Sequence, residues 1–222
     1  MTAFRAVLAK DLRVELRTLQ SIPAMALFAI TTFVLFRYGL DRTTLTGSLA
    51  AGVLLATLLF AAILAINRLF AAEREEGGFD AMRLAPIDLT AVFAAKAMGL
   101  LVYFVILEGI ALPIFGVFFL DDWAGLAPLA GVLVLADAGI ALTGALVSAL
   151  AAHSRARELV VPLVLLPLLV PLMVAAANAA EPLLVAGGPS FEGLGSWLAV
   201  LALYDMTFAA VGYAVFDFVL ED

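Results

Sequence analysis

Apolar residues run through this chain in six long blocks, separated by short polar intervals. A helix needs about 20 apolar residues to cross the hydrocarbon core of a bilayer. Residues 43–67 and 159–180 carry no charge at all, and 21–40 carry only Arg37, close enough to the end to snorkel. Residues 91–120 contain Lys96 and Glu108, 126–151 contain Asp137, and 196–220 contain Asp205 and Asp217. The pattern predicts an all-α polytopic membrane protein, with six transmembrane helices in a single transmembrane domain over 1–222.

Residues 1–20 follow a different pattern. Phe4, Leu8, Leu12, Leu16 and Leu19 recur at roughly helical spacing, while Arg5, Lys10, Arg13 and Arg17 supply a polar side. This spacing predicts an N-terminal amphipathic interfacial helix at the inner membrane surface, turning into the first span at Ser21-Ile22-Pro23. An ordinary cytosolic lead-in is the alternative. With six charges and no apolar core run, the stretch does not read as a secretory signal.

Composition agrees with the membrane reading: 65% of residues are hydrophobic, 14% are charged, and the mean hydropathy is +1.14. A soluble domain is nearer 45–50% apolar and needs more polar surface than this chain has. Cysteine is absent, so neither a disulfide, a thiolate metal site nor a covalently attached haem is expected. The single histidine, His153, cannot make a zinc site alone, and no metal site is expected. No phosphate-cradling G-x-x-x-x-G-K-[ST] occurs, so ATP would act only through a partner. A net charge of −7 argues against nucleic acid.

The basic residues orient the spans. With the N-terminus inside, Arg5, Lys10, Arg13, Arg17, Arg68, Arg74, Arg83, Lys96, Arg155 and Arg157 fall on the inner side, and only Arg37 and Arg42 on the outer. The positive-inside rule then places both termini in the cytoplasm. The outer loops carry Asp41, Asp121, Asp122, Glu181 and Glu192 instead, and Trp123 fits the outer aromatic belt.

The densest charge lies in the loop 68–90 after the second span. Glu73, Arg74, Glu75 and Glu76 precede Gly77-Gly78, which breaks the helix; Phe79 to Leu84 then suits a short helix, ended by Pro86. Asp80 in its first turn favours the macrodipole. An apolar edge of Phe79, Met82 and Leu84 beside Asp80 and Arg83 suits docking in a groove on a cytosolic partner. The plainer alternative is a solvated loop whose charges anchor topology.

These residues resemble a known family. Arg68-Leu69-Phe70, the acids, Gly77, Phe79-Asp80, Leu84-Ala85-Pro86 and Lys96 are similar to the haem exporter protein B family, CcmB. Lys10-Asp11-Leu12 with Glu15-Leu16-Arg17, and Tyr204-Asp205 with Phe216-Asp217-Phe218-Val219-Leu220-Glu221, resemble its first helix and last span. The outer segment 181–195, with Gly187-Gly188-Pro189, carries no such signal.

The resemblance implies an ABC-2-like permease, the inner-membrane subunit of the cytochrome c maturation ABC transporter. A separate ATPase subunit would supply the missing P-loop. Glu73, Arg74, Glu75, Glu76, Gly77, Phe79, Asp80, Arg83 and Pro86 would form the coupling segment and its short cytoplasmic helix. A haem-handling membrane protein and a periplasmic haem chaperone are the further implied partners. Haem would be transported or handled rather than held as a cofactor. The subunit itself would be non-catalytic, and a homodimer within a larger complex is expected from its six short-chain spans.

Glu108, Asp137 and Asp205 lie at membrane depth, where ionisable residues usually face a bundle interior or a cavity. They read either as a polar pathway or relay, or as structural hydrogen bonds to neighbouring helices. Asp217 is near enough to the inner surface to reach water. Ala141, Ala145 and Ala149, with Gly144 and Ser148, suit close helix packing. Pro162, Pro167 and Pro171 predict a kinked fifth span. Two further functions compete: a proton-coupled secondary transporter using the three acids, and an ABC-2-type permease for another substrate. Inverted repeats would favour the former, and the two halves show none. An intramembrane enzyme lacks a nucleophile–base pair or a metal centre.

Overall fold

A computed structural model describes residues 3–40, 44–70, 89–152, 154 and 156–221, with side chains described as far as residue 216. Seven α-helices and one 3₁₀ turn, and no strand, occur among the described residues. They are α1 (Ala3–Thr18), α2 (Ser21–Gly39), α3 (Gly47–Arg68), α4 (Leu89–Phe119), α5 (Leu126–Leu150), α6 (Arg157–Ala180), the 3₁₀ turn Glu181–Leu183, and α7 (Leu194–Glu221). Helices α2 to α7 are the six that are long and apolar enough to cross a membrane. The molecule is thus an all-α polytopic membrane protein.

Helix α5 is central, packing on α4, α6 and α7 and also on α3. Small residues let it take this place. Ala141, Gly144, Ala145, Ser148 and Ala149 are all buried, and a Cβ on Gly144 would lie 2.7 Å from Cδ1 of Ile66 on α3. Without that Cβ the two backbones close up, as small residues allow in membrane helices. By contrast α2 is peripheral, buried only along Ser21, Met25, Ala29 and Phe33, a stripe of every fourth residue. Helix α6 continues through Pro162, Pro167 and Pro171 as one helix, and α4 through Pro113.

The helix ends around Leu45, Phe119 and Leu184 are knitted by backbone and aromatic contacts. Leu45 N–H donates to the Phe119 carbonyl at 2.9 Å, and Gly47 N–H to the Leu184 carbonyl at 2.8 Å. Gly47 has φ +58°, the left-handed region where glycine carries no Cβ penalty. Gly125 lies so close to the Leu183 carbonyl that any Cβ would overlap it. Phe33 of α2 meets Phe115 and Phe119 of α4, with ring centroids 5.5 and 6.1 Å away.

Helix α1 lies on α4. Val7 and Leu12 pack against the core, and Cδ1 of Leu8 is 3.8 Å from the Cβ position of Gly99. Leu8 and Leu12 of the apolar stripe therefore face protein while Leu16 and Leu19 stay exposed, a division its amphipathic spacing alone does not reveal.

Candidate functional site

The last turn of a helix leaves carbonyls without partners inside the helix. At the C-terminal end of α3 three carbonyls accept from side chains of three other helices, the Ile66 carbonyl in addition to the Leu69 N–H. Ser148 Oγ of α5 donates to the Ile66 carbonyl at 3.1 Å, Arg157 of α6 donates to the Asn67 carbonyl, and Lys96 Nζ of α4 donates to the Leu69 carbonyl at 3.2 Å. Two of the three donors are cations, which complement the negative end of the helix dipole. This turn leads directly into the charged loop.

Lys96 organises the junction. Its side chain is 2% exposed, its ammonium lies 3.0 Å from Oδ2 of Asp11 on α1, and it stands 5.0 Å from the Phe70 ring centroid. A buried ammonium is tolerated only when paired and hydrogen-bonded. Asp11 also meets Lys10 at 3.1 Å, and its carbonyl accepts from the Tyr103 hydroxyl at 3.3 Å. One buried cation therefore joins α1, α4 and the end of α3.

A second acid fixes the corner between α1 and α2. Glu15 is buried, and its Oε1 accepts the N–H groups of Ser21 at 2.8 Å and Ile22 at 2.9 Å. It thereby serves two of the free donors at the start of α2, where a negative charge also suits the dipole. The chain turns through Leu19, whose φ of +49° is unusual for a leucine. Between these groups lies a cavity of about 340 Å³, lined by Asp11, Glu15, Ser21, Arg68, Lys96 and Tyr103 among others.

The coupling residues expected from sequence, Glu73, Arg74, Glu75, Glu76, Gly77, Phe79, Asp80, Arg83 and Pro86, lie outside the described residues, as do His153 and Arg155. The junction is the root from which that segment leaves α3 and enters α4.

Three acids lie within the apolar helices. Glu108 of α4 and Asp137 of α5 are buried neighbours, and Oε1 of the first and Oδ2 of the second have no hydrogen-bond partner among the described residues. Asp205 of α7 meets α5 two residues further on: its Oδ1 is 2.6 Å from the Cβ position of Gly139. Beside it, the Tyr204 hydroxyl is 3.0 Å from Oγ1 of Thr143 and donates to the Leu168 carbonyl at 3.1 Å. Among the described residues, no group of three or more His, Cys, Asp or Glu could hold a metal ion.

Sequence reasoning placed Lys96 and the acids but missed the roles of Asp11, Glu15, Ser148 and Arg157. A signal existed for two of them. Asp11 and Glu15 are four residues apart and interleave with Leu8 and Leu12, so they share the apolar face rather than the basic one.

Comparison with known proteins gives a consistent result. The family model described as "CcmB protein" matches residues 2–218. "Heme exporter protein B" of Bradyrhizobium diazoefficiens is 28% identical over 93% of this chain and 93% of its own. The protein of the same name from Rhodobacter capsulatus is 28% identical over 96% and 94%, and that from Paracoccus denitrificans 29% identical over 79% and 81%. A match spanning almost every residue, with the loop root and α1 inside it, places this chain in the CcmB protein family.

Proposed function

We propose that this protein is the membrane permease of an ABC-type complex for c-type cytochrome biogenesis, moved by ATP hydrolysed in a separate subunit. The relatives named as haem exporters support haem as the transported or handled ligand. The cargo step is either export of haem or release of a haem-loaded periplasmic chaperone. A haem-handling membrane protein and a second copy of this chain complete the assembly. The protein is multi-pass in the inner membrane, and both termini face the cytoplasm.

One observation carries the coupling role. The charged loop leaves from a helix end that is gripped at once by Ser148, Arg157 and Lys96. Force applied at Glu73 to Arg83 enters α3 there and is shared with α4, α5, α6 and, through Asp11, with α1. Packed elements of this kind shift between discrete arrangements rather than deforming smoothly. A loop that merely anchored topology would not need such a root.

The test is reversal of charge on the loop, Glu75→Lys with Glu76→Lys. Loss of ATPase stimulation in the reconstituted complex is expected. Unchanged co-purification with the ATPase together with unchanged stimulation would overturn the coupling role. The proton-coupled alternative draws on the buried neighbours Glu108 and Asp137 and on Asp205 set against Gly139 of the same helix α5.

A further inference from the structure

Charge on α1 is sorted by face. Both acids turn inward, Asp11 to Lys96 and Glu15 to the start of α2. All four bases, Arg5, Lys10, Arg13 and Arg17, are exposed. Arg5, Arg13 and Arg17 are spaced by eight and four residues, which sets them along one side of the helix. Among them Leu16 is 71% exposed, and at the corner Leu19 is 58% exposed. Leu8 and Leu12 of the apolar stripe are turned to the core, so the face left outward is cationic, with Leu16 and Leu19 of the same stripe exposed beside the bases.

We propose that this outward face of α1 is a docking surface for anionic phospholipid, with the guanidiniums of Arg5, Arg13 and Arg17 on headgroup phosphates and Leu16 and Leu19 at the headgroup boundary. Guanidinium binds phosphate oxygens in a bidentate fork, and exposed leucine among basic residues suits the bilayer interface. Position favours lipid over an acidic protein. Only Leu19 and Gln20 separate α1 from the membrane-crossing α2, and Glu15 closes that corner with two hydrogen bonds. The helix is thus held at the membrane edge with its bases outward. Lipid so bound would hold α1, and with it Asp11, in register with Lys96 at the loop root. The proposal rests on the cytoplasmic placement of α1, since the negative surface potential belongs to the inner leaflet.

The chain has no cysteine, so Leu16→Cys provides one labelling site for a bimane fluorophore on the full-length protein. The labelled protein is reconstituted in phosphatidylcholine vesicles carrying a brominated quencher on either phosphatidylglycerol or phosphatidylcholine. The phosphatidylglycerol quencher should act more strongly at equal content. Each basic residue near an anionic surface strengthens association roughly fivefold. Replacing Arg5, Arg13 and Arg17 together by Gln should therefore lower the preference at least several-fold, whereas replacing them by Lys should keep most of it. Equal quenching by both lipids, or a preference unchanged in the Gln variant, overturns the proposal. So does shielding of the bimane only when the ATPase subunit is added, which would identify an acidic protein surface as the partner. Labelling of the same cysteine by a membrane-impermeant maleimide from the periplasmic side would instead show that the orientation is wrong.

Discussion

Removing the Asp11 carboxylate while keeping Lys96 is a harsher perturbation than removing Lys96 itself. The two groups are 3.0 Å apart, with side chains 14% and 2% exposed. At an effective dielectric near 20 their attraction is about 5 kcal/mol before desolvation is counted. Depriving a buried ion of its partner costs about 3–5 kcal/mol. In Asp11→Asn the ammonium keeps the Leu69 carbonyl and the Phe70 ring. The lower end, about 3 kcal/mol, is therefore expected. Lys96→Met removes the buried charge at similar length and leaves Asp11 beside Lys10, at a cost of about 1–2 kcal/mol. The double variant should cost little more than Lys96→Met, because its Asp11→Asn change no longer strands a cation. Thermal unfolding in detergent measures all three. At roughly 2–4 °C per kcal/mol for a chain of this size, Asp11→Asn should lower the midpoint by about 6–12 °C. Adding Lys96→Met should then restore roughly one-third to two-thirds of that loss. Equal single losses that simply add in the double variant would refute the reading of Lys96 as the buried partner that Asp11 neutralises.

Three other perturbations follow from the same geometry. Gly125→Ala sets a Cβ against the Leu183 carbonyl, a backbone atom with little freedom, and should cost about 1–3 kcal/mol in the same unfolding assay; an unchanged midpoint would show that the outer junction is loose. Asp137→Leu takes from Glu108 its buried polar neighbour and should cost about 1–3 kcal/mol, the penalty of a buried polar group left unsatisfied, whereas Asp137→Asn offers Glu108 an amide donor and should cost less. Equal folded yields of the two variants would count against the pairing. Asp205→Asn should impair c-type cytochrome maturation more than Asp217→Asn, because Asp205 is set against Gly139 in the α5–α7 interface; equal c-type haem staining in the two strains would contradict this.

The fold was legible because hydropathy is strong in a membrane chain. Blocks such as 43–67 can be little else than spanning helices, and α3 occupies Gly47–Arg68. The site was less legible. Side chains that reach across helices depend on which helix neighbours which, and six apolar stretches of similar composition do not declare their neighbours. Arg157 reads in sequence as a loop charge, yet it is buried against the end of α3. Asp11 and Glu15 show the same limit from the other side. Their phase on α1 puts them on the apolar face, but only the presence of Lys96 and the start of α2 opposite them explains why. For the acids within the apolar helices, helical pitch alone did not reveal that Glu108 neighbours Asp137 and that Asp205 is set against Gly139.

The two ends of the bundle are joined by different chemistry, and that difference bears on how it would move. At the N-terminal end of α3 the joints are backbone hydrogen bonds, Leu45 to Phe119 and Gly47 to Leu184, with three phenylalanines packed between α2 and α4. Such joints have no charge to exchange with water, and in an apolar surrounding an unmade backbone bond is expensive. At the C-terminal end of α3 the joints are side-chain contacts: Ser148 to Ile66, and, around a polar cavity of about 340 Å³, Lys96 to Asp11 and Leu69 and Glu15 to α2. Lys96 and Ser148 are buried, so separating these partners strands a cation or a hydroxyl unless water follows from the cavity. Lys96 and Asp11 would therefore move as one unit, and a displacement at residue 70 would carry α1 and α4 with it rather than parting them.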